Sequence, residues 1–438
     1  MRKRLSQEAR GLPVLTLALL IAALLGDRPA FAGPQAGAAR SAAATEPPAI
    51  VPLQLRETTV FASPGPNGFG AGMTCDSDGD IFLQFVHYDP ARLWETDPGV
   101  SEVIPDSKRI VAYGTSPLSQ FDYPNSRLES FSVLPNGEVY ALIFTRRDRS
   151  SGGPRPAPEY YVERFKDDGT TDSITHIDAP PGAAHWSAAL LGAYWDGNFL
   201  IAGTSSGSAE QPGASSWRPF TAIYGPRGRF VSEVTLPEDI VNDFAEGSGP
   251  AQRTAGAAAA TPAGTAGGQL RGGEKAAAES RAETQETQAS STKPSKPHEF
   301  FDMSITTGGL ISAPDGNIWI FRASDPIRLY AVSSAGEVIK HFQFPAPVSG
   351  LKPSKIGSAG PARIFLDFAH FAGDPIPPSG SSHAVGVFDP LSERFETLYT
   401  LPDTDKSFRV LACGDGRGGF LYLGSTPDNH LAVFDYGP

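Results

Sequence analysis

Short runs of alternating apolar and polar residues, broken at regular distances by Asp-Gly or Asn-Gly, fill most of this chain. "CDSDGDIFLQF" (75 to 85) returns as "VLPNGEVYALIF" (133 to 144), "AYWDGNFLIAG" (193 to 203), "SAPDGNIWIFR" (312 to 322) and, worn, "CGDGRGGFLYLG" (413 to 424). The period of two predicts strands, and the Gly-containing dipeptides predict two-residue hairpin turns with positive φ. A second hairpin follows each first one, as in "YYVERFKDDGTTDSITHI" (160 to 177) and "RLYAVSSAGEVIKHFQFP" (328 to 345). Four strands per unit result. Gly79, Gly137 and Gly197 are 58 and 60 residues apart, and Gly316 to Gly418 spans 102 residues, room for two units with a degenerate one between.

An isolated four-stranded sheet exposes two faces and must stack on neighbours to bury them, so the repeat predicts an all-β fold, a six-bladed β-propeller of four-stranded antiparallel blades. The chain ends at "HLAVFDYGP", the third strand of the sixth unit, whereas "LQLRETTVF" (53 to 61) precedes the first. The N-terminal segment is expected to supply the missing strand and close the ring, which removes an open edge.

The alternate acids of "CDSDGD" raise the question of a calcium loop. Counted from Asp76, Gly falls at position four and His87 at position twelve, where such a loop needs Gly at six and Glu at twelve. The stretch reads as a blade turn.

Composition sets the flanks. "MRKR", the apolar run Leu12 to Leu25 and Ala30-Phe31-Ala32 form a signal peptide over 1–32, with cleavage expected after Ala32. The apolar run falls short of the roughly 20 residues of a membrane-spanning helix, and none later matches it, so no membrane span is expected. Residues 33–50 read as a disordered tether to a propeller over 51–438. An insertion at 247–298, rich in Ala, Gly, Thr and Ser, is expected to be disordered because it has too little apolar surface to offset the entropy of ordering. The formal charge is −12; removing five basic and two acidic signal residues gives −12 − 3 = −15. That argues against nucleic acid as a partner, since phosphate binding needs clustered Lys and Arg. A small molecule or a cell-envelope protein is the expected partner of a periplasmic or extracellular monomer, with no cofactor called for.

Antiparallel blades put the short first-to-second and third-to-fourth turns on one face and the remaining connections on the other. The long connections, 107–129, 145–159, 204–219 and 369–384, all belong to the second set, so binding is expected there, over the axial channel. Candidate contacts are His87, Tyr88, Asp89, Arg146, Arg147, Arg149, His185, Trp186, Trp217 and His370. Glu129, Asp302 and Asp367 are acids expected at the starts of inner strands, able to reach the axis as weak metal candidates.

The pattern "PDGNIWIF…RLYAVSSAGEVIKHFQFP" resembles the NHL-repeat and gluconolactonase-like six-bladed propellers over some 330 residues. The resemblance implies the fold. Lactonases of this group hold an axial divalent metal with a Glu early in the first blade, but here the first inner strand is "GFGAGMTC", so no metal set carries over. A propeller hydrolase or lyase with a site over the channel is the alternative to a binding protein of no identifiable reaction.

Cys75 and Cys413 each lie seven residues before a Phe of the repeat, in units that become neighbours when the ring closes. A bridge between them is one expectation and two buried thiols the other; export would supply the oxidising setting.

Overall fold

The computed structural model describes residues 48–64, 68–89, 93–96, 99–114, 126–146, 157–207, 218–236, 309–322, 326–348, 351–360, 363–369, 383–401 and 409–438. The expected signal peptide, nearly all of the tether and the 247–298 insertion lie outside these residues. The described chain is all strand and turn, in six sheets that form the propeller ring.

The N-terminal strands are β1 (Ala49–Pro52) and β2 (Gln54–Pro64). Blade 1 is β3 (Gly68–Cys75), β4 (Ile81–Asp89), β6 (Val100–Ile104) and β7 (Arg109–Tyr113), with β5 (Leu93–Thr96) pairing the far end of β4. Blade 2 is β8 (Arg127–Val133), β9 (Val139–Thr145), β10 (Glu159–Phe165) and β11 (Thr171–Ile177). Blade 3 is β12 (Ala183–Ala193), β13 (Phe199–Gly207), β14 (Arg218–Tyr224) and β15 (Phe230–Glu233). Blade 4 is β16 (Gly309–Ser312), β17 (Ile318–Arg322), β18 (Ile327–Val332) and β19 (Val338–Phe344). Blade 5 is β20 (Lys352–Ser358), β21 (Ile364–Ala369), β22 (His383–Asp389) and β23 (Arg394–Thr400). Blade 6 is β24 (Arg409–Gly414), β25 (Phe420–Ser425), β26 (His430–Gly437) and β2.

Ring closure follows the sequence expectation. β2 pairs antiparallel with β26, from Gln54 opposite Gly437 to Pro64 opposite His430. Arg56 on this strand reaches Asp415 in the first turn of the blade at 3.0 Å, its guanidinium lying across Gly437, where any Cβ would collide with it.

Two details differ from expectation. Strand structure begins at Ala49, two residues inside the stretch read as a tether: β1 adds parallel to the outer strand β23 of blade 5, Ala49 opposite Thr397. An outer strand has a free row of backbone groups for such a segment to pair with, and Pro52 is tolerated at an edge. Leu53, between β1 and β2, donates its amide to Thr400 O at 2.8 Å and is buried, so the N-terminal segment straps blades 5 and 6 together from outside.

The turns also differ. In blades 1 to 4 the Asp-Gly or Asn-Gly loop between the first two strands has three residues, with only the Gly at positive φ. In blade 2 Gly137 (φ 85°) donates to Leu134 O and Leu134 donates to Glu138 O, the pattern of a loop closing in a G1 bulge. The residue before Gly keeps negative φ because its side chain accepts the amide two residues on: Asn136 from Glu138, Asp196 from Asn198, Asp315 from Asn317.

Candidate functional site

Each inner strand is paired on one side only, so its other edge presents backbone groups to the axis that need partners. Side chains of neighbouring blades supply them. Ser130 and Ser132 Oγ accept the amides of Leu191 and Ala193 at 3.3 and 3.0 Å, and Ser312 Oγ donates to Ala193 O at 2.7 Å. Ser132 and Ser312 belong to blades 2 and 4, which are not adjacent, yet their hydroxyls lie 3.1 Å apart. At the turn end the inner strands of alternate blades therefore come within side-chain hydrogen-bonding reach of each other. Nearby, Cys75 and Cys413 are joined in a disulfide between blades 1 and 6, Cα to Cα 6.0 Å.

Toward the opposite, long-loop end the inner strands carry β-bulges, devices that re-aim a side chain. Register shifts occur between Leu128 and Ser130, Ala188 and Leu190, and Pro353 and Lys355. The shift in β20 leaves Ser354 without a cross-strand partner and puts Lys355 opposite Asp367 of β21. Lys355 Nζ crosses to blade 6 and donates to Leu411 O and Ala412 O at 2.7 and 2.8 Å. Ser354 Oγ donates to Asp367 Oδ2 at 2.8 Å.

Three other seams are apolar in the layer where this corner is polar. In the seam between blades 2 and 3, Tyr140 meets Phe199 edge to face at 5.9 Å, and one pair nearer the long-loop face come Leu142 and Ile201. The seam between blades 4 and 5 has Phe321 and Leu366 in this layer, and that between 3 and 4 has Ala202 and Ile320. In the seam between blades 5 and 6, Phe365 meets Phe420, again at 5.9 Å edge to face. One pair further along the same faces come Asp367 and Tyr422. Here a carboxylate and a phenol replace two apolar side chains.

Burial and charge shape the groups of this seam. Asp367 is 9 % exposed and Tyr422 2 %. The Tyr422 hydroxyl has no hydrogen-bond partner among the described residues, and burial, reinforced by the Asp367 charge, pushes it well above the usual phenol range. Burial brings the Lys355 ammonium down to about 7 against the opposing pull of Asp367. His383, the first residue of β22, has its side chain 45 % exposed at the long-loop lip, Nδ1 3.8 Å from Asp367 Oδ1; the carboxylate raises its affinity for a proton. One seam thus combines a carboxylate, an amine brought down to about 7, an imidazole at its lip and a buried hydroxyl.

The residues expected at the site are scattered. Asp367 belongs to it, but on the second strand of blade 5 and not at the start of an inner strand as its sequence position suggested. Glu129 is the bulge residue of β8 and pairs with Arg127 at 2.7 Å. The Arg127 guanidinium lies over the Phe144 ring at 4.9 Å and that of Arg146 over the same ring at 5.3 Å. His185 is exposed near the start of β12. Trp186 is buried, its ring 4.4 Å from Tyr160 and 6.1 Å from Phe220, and so packs the seam between blades 2 and 3. His87, Tyr88 and Asp89 lie where β4 runs past β6 to pair with β5 in a two-stranded arm. Arg147, Arg149, Trp217, Asp302 and His370 lie outside the described residues. Among the described residues no three His, Cys, Asp or Glu side chains converge to hold a metal ion.

Ser354, Lys355, His383 and Tyr422 were not among the sequence candidates. The signal for one of them was present: Tyr422, like Asp367, interrupts the apolar face of a second strand, at positions that are Ile201 and Leu142 in the seam between blades 2 and 3.

No protein-family model matches the chain, and no curated protein does. Solved structures similar to it include a protein of unknown function from Dyadobacter fermentans, 10 % identical, covering 88 % of this chain and 99 % of that one with a TM-score of 0.46. A putative gluconolactonase is 11 % identical over 86 % of this chain and 94 % of its own, TM-score 0.37. A Hadza microbial sialidase is 9 % identical over 83 % and 64 %, TM-score 0.43.

Proposed function

We propose that this protein is an exported propeller, of the gluconolactonase-like and NHL-repeat kind that its repeat resembles, which binds a small ligand at the long-loop end of its axial channel. The ligand contacts the seam between blades 5 and 6. The observation that carries this reading is the pair Asp367 and Tyr422, polar and buried in a layer that is apolar in the seams between blades 2 and 3, 3 and 4, and 4 and 5. Buried polar groups in a packed seam cost stability unless satisfied, so retaining them here points to a use. Export rests on the N-terminal segment and suits a disulfide-bonded ring. The direct test is a thermal-shift screen of small metabolites on the mature chain, repeated on Asp367→Asn. Ligands that stabilise both proteins equally would place binding elsewhere.

A hydrolase or lyase acting over the channel is the second reading. It is favoured by Lys355, brought by burial to about 7, and by His383, whose hold on a proton Asp367 strengthens, two groups of the kind general acid–base catalysis uses. Turnover of a bound ligand, abolished in Lys355→Met or His383→Gln, would establish it. Metal analysis of the purified mature protein tests for a lactonase-like axial ion.

A further inference from the structure

The donors and acceptors of the seam between blades 5 and 6 define what completes it. Asp367 Oδ2 accepts from Ser354 at 2.8 Å and Oδ1 faces His383 Nδ1 at 3.8 Å; each carboxylate oxygen has two lone pairs, so Oδ1 has capacity for a second donor. Tyr422, 2 % exposed, faces it with a hydroxyl that has no partner among the described residues. Lys355 Nζ gives two hydrogens to Leu411 O and Ala412 O. An ammonium has a third. The seam therefore combines an acceptor with spare capacity, a buried donor without a partner and a further donor hydrogen. A carboxylate ligand offers acceptors only and would set its charge against Asp367. A metal ion would find a single carboxylate ligand, beside an amine already committed to two backbone carbonyls. A hydroxyl does what neither can, donating to Asp367 Oδ1 while accepting from Tyr422 Oη, and a vicinal hydroxyl completes Lys355.

We infer that the seam between blades 5 and 6 recognises ligand hydroxyls through Asp367, Tyr422 and Lys355, and so takes a neutral polyhydroxylated molecule. This rests on the proposed binding reading and names the class of its ligand. His383 at the lip meets the outer part of the molecule, where specificity among polyols is set.

The test is calorimetric titration of the full mature chain with myo-inositol, glucose, citrate and calcium chloride at millimolar concentrations. Wild type, Tyr422→Phe and Asp367→Asn are compared, with thermal melts confirming that each variant is folded. Binding of a neutral polyol by wild type, weakened about tenfold or more in each variant, is the expected result. Polyol affinity unchanged in Tyr422→Phe would overturn the inference, as would the absence of binding by both polyols. Binding of citrate or calcium in place of polyols, lost in Asp367→Asn, would sink the hydroxyl assignment and leave the binding site standing. Binding of any of the four that ignores both substitutions would remove the site as well.

Discussion

The seam between blades 2 and 3 and that between blades 5 and 6 are built on the same strands in the same order, with the same edge-to-face aromatic pair at 5.9 Å. In the first, Leu142 and Ile201 follow the pair, and Tyr160 and Trp186 meet at a tilt beyond them. In the second, Asp367 and Tyr422 follow it, and Lys355 bridges the inner strands. Backbone geometry is thus indifferent to the choice, and the difference lies in what the side chains must find. An apolar layer is completed by packing alone; a polar one needs partners for every buried group, and the phenol at this seam lacks one within the described chain.

Transplanting the carboxylate should break the first seam. Leu142→Asp places a charge among Tyr140, Phe199 and Ile201 with no equivalent of Ser354 or Lys355, and should cost at least about 3–5 kcal/mol by denaturant unfolding. A loss below about 1 kcal/mol would mean that the seams tolerate charge generally and that Asp367 carries no special meaning. The next largest effect concerns closure. The ring is held at blade 6 by both β2 and the Cys75–Cys413 bridge, which spans 338 residues of chain. Replacing both cysteines by Ser should lower stability by about 2–4 kcal/mol without opening the ring, since the strand latch persists. Unfolding that stays cooperative, with a lower midpoint, is the expected observation.

The fold was legible because its signals are local and repeated. A Gly that must adopt positive φ, placed between runs of period two, marks each blade wherever it recurs, and the unpaired third strand of the last unit called for the segment at 53 to 61. Beyond Asp367 the site was not read from the sequence, for two physical reasons. Its groups come from strands up to 68 residues apart, Ser354 and Tyr422. The bulge at Ser354 also breaks alternation in "KPSKIGS", so counting by twos from Pro353, which faces blade 4 with Ile356, puts Lys355 on the same face as Pro353. In the structure Lys355 faces blade 6. The candidates that sequence did single out, such as Trp186, were conspicuous as residue types, and the core claimed that one.

Titration compares a buried acid in blade 2 with the amine of the polar seam. Glu163, fully buried and accepting from Thr171, is raised by burial from 4.5 to about 7. Between those values the folded state holds more protons, so this group makes stability fall as pH rises from about 4.5 to 7. Lys355 is lowered from 10.5 to about 7. The unfolded state binds more protons between about 7 and 10.5, so this group makes stability rise over that range. Together they predict a local minimum near neutrality. Glu163→Gln should flatten the acid side and Lys355→Met the alkaline side, each read from urea midpoints across pH. A slope on the alkaline side that survives Lys355→Met would assign it to other groups.

The smallest expected effect is the sharpest on the comparison itself. In the seam between blades 2 and 3 a hydroxyl is partnered: Tyr160 donates to Ser187 Oγ at 3.4 Å. Tyr422→Phe removes a hydroxyl that has no such partner, and the ring contact with Tyr436 at 5.3 Å is kept. Relieving an unsatisfied buried group should stabilise the free protein by about 1 kcal/mol, a rise in melting temperature. Tyr160→Phe should leave stability unchanged or lower it. Opposite signs from the same chemical deletion in two equivalent seams would identify Tyr422 as a group held for a ligand at a cost to the fold. A fall in melting temperature for Tyr422→Phe would mean that the hydroxyl is already satisfied in solution, and that the seam has no donor left to offer.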